Sequence, residues 1–275
     1  MFQPVIKWTG SKRSQSNNII SYFPKKIDTY VEPFCGGASV LRALIDSGIP
    51  VGKYVCSDIN QDLINLWNAI KQEPCRIYET YSDRWHDLND KDDDKTRKRE
   101  YFEQVRSSFN KEHSPYDFFF IMRTTTNGMP RYNKDGEFNN SFHITRNGIM
   151  PDKIKPIIYE WSNMLNKCDV HFVCMDFKDI VTNKNTFMYL DPPYAGTKGI
   201  YYGGFDNRQL FKWLKEQPCR WVMSYDGISG TNNNTYPVPK DLYSRHVYIK
   251  SGNSPFKRVT GKSCDSMVYE SLYIK

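Results

Sequence analysis

The 275-residue chain reads as an α/β protein, a doubly wound sheet interrupted by an inserted helical and β-hairpin segment. Three observations carry that reading. Short apolar runs alternate with helical periodicity in the first third of the chain, the rhythm breaks after Pro74, and it resumes near residue 160. The length allows one large domain with an inserted subdomain and a substantial core. The predicted division is residues 1–71 with 160–275 for the sheet and 72–159 for the insertion.

The opening unit is strand, glycine turn, helix, strand. "TYVEPF" at 29–34 is a buried strand, Gly36-Gly37 turn the chain, and Val40, Leu41, Leu44 and Ile45 make a helical stripe that stops at Gly48. "KYVCSD" is a second strand ending at Asp58, after which Ile59, Leu63, Leu66, Trp67 and Ile70 fall on one helical face. Such a right-handed βαβ unit is the usual start of a doubly wound sheet. Beyond Pro74, "NDKDDDKTRKRE" has no apolar residue and reads as a solvated loop or helix start. Ser114-Pro115 begins a helix carrying "YDFFFIMR", and Asp135-Gly136 within "RYNKDGEFNNSFH" signals a hairpin. Ile154, Ile157, Ile158, Trp161 and Leu165 mark another helix. Strands then return at "DVHFVCM", "TFMYL" and "RWVMSY", with a helix containing Leu210, Phe211 and Leu214 after Asp206, and the late segments "SRHVYIK" and "SMVYESLYIK" flank a polar, basic stretch.

Composition narrows the functional classes. Lys and Arg total 38 against 31 Asp and Glu, a net charge of +7, and 15% of residues are aromatic. That balance suits a polyanion, although many basic proteins have none. Seven widely spaced cysteines without a CxxC signal neither a disulfide framework nor a zinc knuckle, which points to reducing cytosol. The five histidines, His86, His113, His143, His171 and His246, show no nucleophile or metal spacing, so no metal is expected. No apolar run reaches bilayer length and "MFQPVIKWTG" lacks the apolar region of a signal peptide, so neither membrane nor secretion is expected.

The most informative stretch is "NTFMYLDPPYAGTKG". Proline lacks an amide donor and locks φ, so Pro192 and Pro193 end the strand and stiffen the turn after it. Asp191 and Tyr194 are therefore held at the carboxyl end of a strand, where open α/β sheets bind ligands. One reading is a rigid loop with a capping aspartate. The other is chemical: Asp191 and the Pro192 carbonyl accept the two hydrogens of an exocyclic amine while Tyr194 stacks on its ring. Acceptors aimed at those hydrogens favour a pyramidal nitrogen and stabilise the positive charge that develops during its attack. Gly36 and Asp58 similarly fit a nucleotide-type site, with a backbone approach at a helix start and an acceptor for ribose hydroxyls, or a plain turn and a cap.

Taken in order, "IKWTGSKR" at 6–13, "VEPFCGGASV" at 31–40, "SDIN" at 57–60, "RYNKDGEF" at 131–138, "MDF" at 175–177 and "DPPY" at 191–194 make the chain resemble Dam-type DNA adenine N6-methyltransferases over nearly its whole length. The resemblance implies a Rossmann-like methyltransferase sheet, an inserted target-recognition domain and S-adenosylmethionine as methyl donor. It implies that Lys7, Trp8, Lys12, Phe34, Gly36, Asp58, Asp176, Phe177 and Asp191 bind the cofactor. Asp191, Pro192, Pro193 and Tyr194 would surround an adenine flipped out of double-stranded DNA. Asn127, Met129 and Arg131 would meet bases, and Lys257 and Arg258, in a basic stretch with Lys250 and Lys262, would meet phosphates. At this level Arg131 is also compatible with a phosphate contact, and the basic stretch with a solvated loop. The chain departs from enterobacterial Dam enzymes at Thr126, where they carry an aromatic wedge, and at "NNSFH", where they have "NVPFG". The resemblance thus leaves GATC or a related short site as the expectation for a cytoplasmic, bacterial or phage-encoded enzyme, with no obligatory protein partner evident. Cytosine N4 or RNA methylation and an inactive DNA-binding module are the competing readings.

Overall fold

The computed structural model describes residues 2–91, 93–194, 205–229, 232–251 and 268–275. In chain order the elements are α1 (Ser16–Ile20), β1 (Ile27–Glu32), α2 (Ser39–Asp46), β2 (Val51–Asp58), α3 (Gln61–Gln72), α4 (Pro74–Asn89), α5 (Lys95–Glu112) and α6 (Pro115–Thr124). They continue with α7 (Pro151–Lys167), β3 (Val170–Cys174), β4 (Thr186–Leu190), α8 (Asn207–Glu216), β5 (Arg220–Ser229), β6 (Asn232–Asn233), β7 (Arg245–Lys250) and β8 (Val268–Ile274). They fall into two compact units. One takes the residues up to Ser11 with Asn60–Cys174, the other Lys12–Ile59 with the described residues from Met175 onward.

In the second unit a mixed sheet runs β2-β1-β4-β5-β8-β7. The pairs β1/β2, β1/β4 and β4/β5 are parallel, and β8 is antiparallel to both β5 and β7. All five residues of β4 are buried, which is why Phe187, Met188, Tyr189 and Leu190 follow one another without the polar alternation of an edge strand. Met188, Leu190, Trp221, Met223 and Tyr225 make its core with Leu210 and Leu214 of α8. Each such side chain contributes about 1.5–3 kcal/mol through burial. Asp206 starts α8 by accepting hydrogen bonds from the amides of Arg208 and Gln209. Between Tyr225 and Ile228 the β5/β8 register shifts, and Gly227 lies so near β8 that an added Cβ would stand 2.1 Å from the Tyr269 carbonyl oxygen. Only glycine fits there.

The first unit is mainly helical. Asn60 caps α3 through a 3.0 Å hydrogen bond from the Leu63 amide, and Trp67 stacks on Phe172 at 5.1 Å. Ile59 is not part of the α3 apolar face as the periodicity predicts: the Asn60 cap starts the helix after it, and its side chain is exposed. Helix α4 occupies a stretch for which no element is predicted, and α5 starts within the charged run read as a solvated loop or helix start. Their stripes are sparse, Ile77, Tyr81 and Leu88 in α4 and Phe102, Val105 and Phe109 in α5. Helix α5 begins inside the charged run, capped by Asp94. Ser114 caps α6 as predicted, with Pro115 in the first turn. The hairpin exists as a Tyr132/Phe138 bridge, with Gly136 at a φ of 81° at its tip. No helix among the described residues is long and apolar enough to cross a membrane.

Candidate active site

Strand β4 delivers Asp191 at its carboxyl end, and the two prolines after it carry no amide to continue the ladder. The Asp191 carboxylate is mostly buried and forms a 2.8 Å ion pair with Lys12, whose side chain is only 7% exposed. A second carboxylate joins them. Glu270 of β8 lies 3.8 Å from the Lys12 ammonium and accepts a 3.1 Å hydrogen bond from the Tyr194 hydroxyl. The Lys12 ammonium is also 5.0 Å from the centre of the Tyr194 ring, which packs edge-on against Tyr225.

The electrostatics follow from burial. Burial pushes the Asp191 carboxyl up to about 6, with Lys12 opposing the rise and Glu270 adding to it. Asp191 is therefore ionised at neutral pH and titrates just below it. Burial, then Asp191 and Glu270, push the Tyr194 hydroxyl well above its ordinary range, so it stays a donor. At the end of β1, Glu32 is buried and accepts a 2.8 Å hydrogen bond from Tyr30. Burial drives its carboxyl up to about 8, which leaves it mostly protonated at pH 7.

Beside these groups are the residues expected to hold a cofactor. Gly36 has a φ of 44°, and its amide donates to Asp58 Oδ2 at 3.2 Å. The Cys35 amide donates to the Ser57 carbonyl at 2.9 Å, tying the glycine turn to β2. Asp176 accepts from the Lys178 amide at 3.0 Å, and its other oxygen is 3.1 Å from the Lys178 ammonium. Phe34 and Phe177 are 5.5 Å apart, and both rings meet Phe205. Half-buried carboxylates at Asp58 and Asp176, a tight turn and an aromatic pair suit a ligand with a ribose, an amino-bearing base and a cationic end. This donor set fits S-adenosylmethionine.

Of the other predicted residues, Lys7, Trp8, Asn127, Met129 and Arg131 lie in the first unit. Lys7 donates to the Thr125 carbonyl at 3.0 Å, and the Thr9 amide donates to the Gly128 carbonyl at 3.1 Å, so the "KWTG" segment carrying half-buried Trp8 is bound to the 125–128 loop. Gly128 has a φ of 61°, and a Cβ there would meet Lys7 at 2.7 Å. Asn127 is exposed in the left-handed region at φ 59°. The loop is pinned from the hairpin side by Asn140, which donates to the carbonyls of Thr126 and Met129, both at 3.0 Å. Met129 is half-buried and Arg131 exposed. The hairpin is anchored below by buried Asp62, which accepts from Tyr132 at 2.8 Å and lies 2.9 Å from His113 Nδ1. Lys257 and Arg258 lie outside the described residues.

Glu270, Gln15, Ser251 and Glu32 were not picked out as site residues by sequence reasoning. A single acid within the apolar strand "VYESLYI" was the available signal for Glu270, and Glu32 stood inside the quoted "VEPF".

A doubly wound sheet carrying a glycine turn after its first strand and Asp-Pro-Pro-Tyr after β4 defines an amino-methyltransferase, and this chain is such an enzyme, specific for adenine in DNA. It belongs to the D12 class N6 adenine-specific DNA methyltransferase family, whose model matches residues 8–236. Among curated relatives it is 31% identical to the type II methyltransferase M.MjaIII of Methanocaldococcus jannaschii, over 70% of this chain and 69% of that protein. It is 30% identical to the DNA adenine methylase of Haemophilus influenzae, over 70% of this chain and 64% of that one. The type II methyltransferase M.CviBI of Paramecium bursaria Chlorella virus NC1A is 27% identical over 99% of both chains. The family implies S-adenosylmethionine as the methyl donor and DNA as the substrate.

Proposed function

We propose that the protein methylates adenine N6 within a short site in double-stranded DNA, GATC or a relative of it, by flipping the base and transferring the methyl group directly. The observation that carries this reading is the Asp191–Lys12 pair, an acceptor preorganised at a strand end beside the Tyr194 ring. Asp58, Asp176, Phe34, Phe177, Lys12 and the Gly36 turn hold S-adenosylmethionine, and the family resemblance adds Lys7 and Trp8 to the residues that bind it. The cofactor supplies an electrophilic methyl group on a sulfonium. Asp191 and the Pro192 carbonyl accept the two amine hydrogens, drawing the nitrogen lone pair out of conjugation, and Pro193 fixes the turn that aims them. Tyr194 stacks on the flipped ring. Asp191, ionised at neutral pH, then takes the proton that the alkylated nitrogen sheds.

Residues 72–159 serve as the target-recognition domain in this reading, and 1–71 with 160–275 as the catalytic domain. Exposed Arg131 offers a fork suited to guanine O6 and N7, and Asn127 and Met129 face neighbouring bases. Lys257 and Arg258 add phosphate contacts. The enzyme works in the cytoplasm of a bacterium, or of a host carrying a phage that encodes it, and its type II relatives favour a place in restriction–modification. The test uses duplexes bearing GATC and each single substitution of it, methyl-labelled cofactor and nucleoside analysis of the product. N6-methyladenine from one short site supports the reading. N4-methylcytosine, or label in RNA alone, overturns it.

A further inference from the structure

Lys12 presents a conflict within this reading. Its ammonium is buried against Asp191 at 2.8 Å, yet Asp191 is the group that must turn to the substrate amine. A buried ammonium that loses its counter-ion is strongly destabilised. Glu270 lies where it resolves the conflict, on β8 and beyond the residues 8–236 matched by the family model. It is itself rigidly held. Oε1 accepts from Gln15 at 3.0 Å and Ser251 at 3.1 Å, while Oε2 accepts from Tyr194 at 3.1 Å and stands 3.8 Å from Lys12.

We propose that Glu270 is a positioning residue of the transfer reaction: it is the second counter-ion of Lys12, receiving the ammonium as Asp191 turns to the adenine amine, and it fixes the Tyr194 ring through its hydroxyl. The inference rests on the proposed role of Asp191. A charge is needed for the first task but not for the second, because a neutral amide also accepts a hydrogen bond from tyrosine. Glu270→Gln therefore separates them.

The groups that face Asp191 are Lys12 from the segment before α1, Glu270 from β8, Tyr194 on its own loop, Tyr189 of β4 and, from β1, Glu32. Glu270 repels an ionised Asp191 and Lys12 attracts it, while Glu32 stays mostly protonated at neutral pH. Removing the Glu270 charge removes both its repulsion of Asp191 and its pull on Lys12, which makes Asp191 easier to ionise and harder to free.

The experiment is single-turnover methylation of a duplex substrate by the full-length enzyme across pH. Glu270→Gln is expected to bind DNA and S-adenosylmethionine as wild type does, to lose about tenfold in plateau rate, and to move its acid limb down by about one pH unit. A merely structural role lowers the plateau without moving the limb. A wild-type plateau or an unmoved limb overturns the proposal. Should Glu270→Gln not fold, Glu270→Asp keeps the charge one methylene further back: a wild-type acid limb supports the proposal and a displaced one overturns it. Asp191→Asn in the same assay tests the underlying reading separately, since normal turnover by that variant removes Asp191 from the chemistry whatever Glu270 does.

Discussion

Lys12 and Arg131 are both loop cations that the family resemblance marks as functional, yet their surroundings are opposite. Lys12 is 5% exposed and shares two carboxylates, whereas Arg131 is exposed and its guanidinium has no hydrogen bond or ion pair among the described residues. The difference follows from what each region must do. Groups that stabilise charge developing in a transition state act best when fixed beforehand in a dry site, so that no reorganisation accompanies the reaction. Groups that read bases must exchange water for base edges in every encounter, so they stand in solvent on a braced support. The bracing of the Arg131 hairpin lies beneath it, in Asp62, Tyr132 and Asn140.

The comparison breaks most visibly at Asp191. Asp191→Asn keeps shape and an acceptor but loses charge, and should slow single-turnover methylation by about 100- to 1,000-fold with nearly normal binding of DNA and cofactor. In the wild type the rate should fall as pH drops through about 6, where Asp191 gains its proton. A near-normal rate for the variant would return Asp191 to the role of a loop cap.

A large effect on stability is expected at Glu32. Its carboxyl titrates near 8 in the folded protein against an ordinary value of 4.5, so the folded state holds a proton that the unfolded chain releases. The stability associated with that proton is present in full below pH 4.5 and is lost as pH rises towards 8. Glu32→Gln removes the dependence. The variant should gain on the wild type through that window, by about 3 kcal/mol at pH 7. Urea melts at several pH values check it, and a gain independent of pH would count against a protonated Glu32.

Two smaller effects sharpen the contrast. Asp58→Ala should weaken S-adenosylmethionine binding by about 1–3 kcal/mol in calorimetric titration, through loss of a charged acceptor, and unchanged affinity would remove Asp58 from the cofactor site. Arg131→Ala should relax preference at one base position by about 1–3 kcal/mol while leaving turnover on bound duplex intact. Competition among singly substituted duplexes decides this, because loss of a phosphate contact weakens every sequence alike.

Much of this protein was legible one segment at a time. "TFMYLDPPY" announces a buried strand, its end and an acid held there, because burial on both faces and the missing proline amides act on neighbouring residues. The same locality made the glycine turn, the Asp58 strand end and the Ser114 cap readable, and it hid α4 and α5, whose stripes are thin and whose charges dominate any short window. The ring around Asp191 is different in kind. Lys12 pairs with Asp191 and Glu270, and Gln15 bonds Glu270 across 255 positions of sequence. No local propensity encodes such a meeting. It follows from β8 pairing antiparallel with β5, which brings a late strand back beside the start of the chain and buries one ammonium between two carboxylates. The chain order determined the fold class and the acid at the strand end, while tertiary structure alone decided which charges share the site, since burial and counter-ions are properties of the assembled sheet.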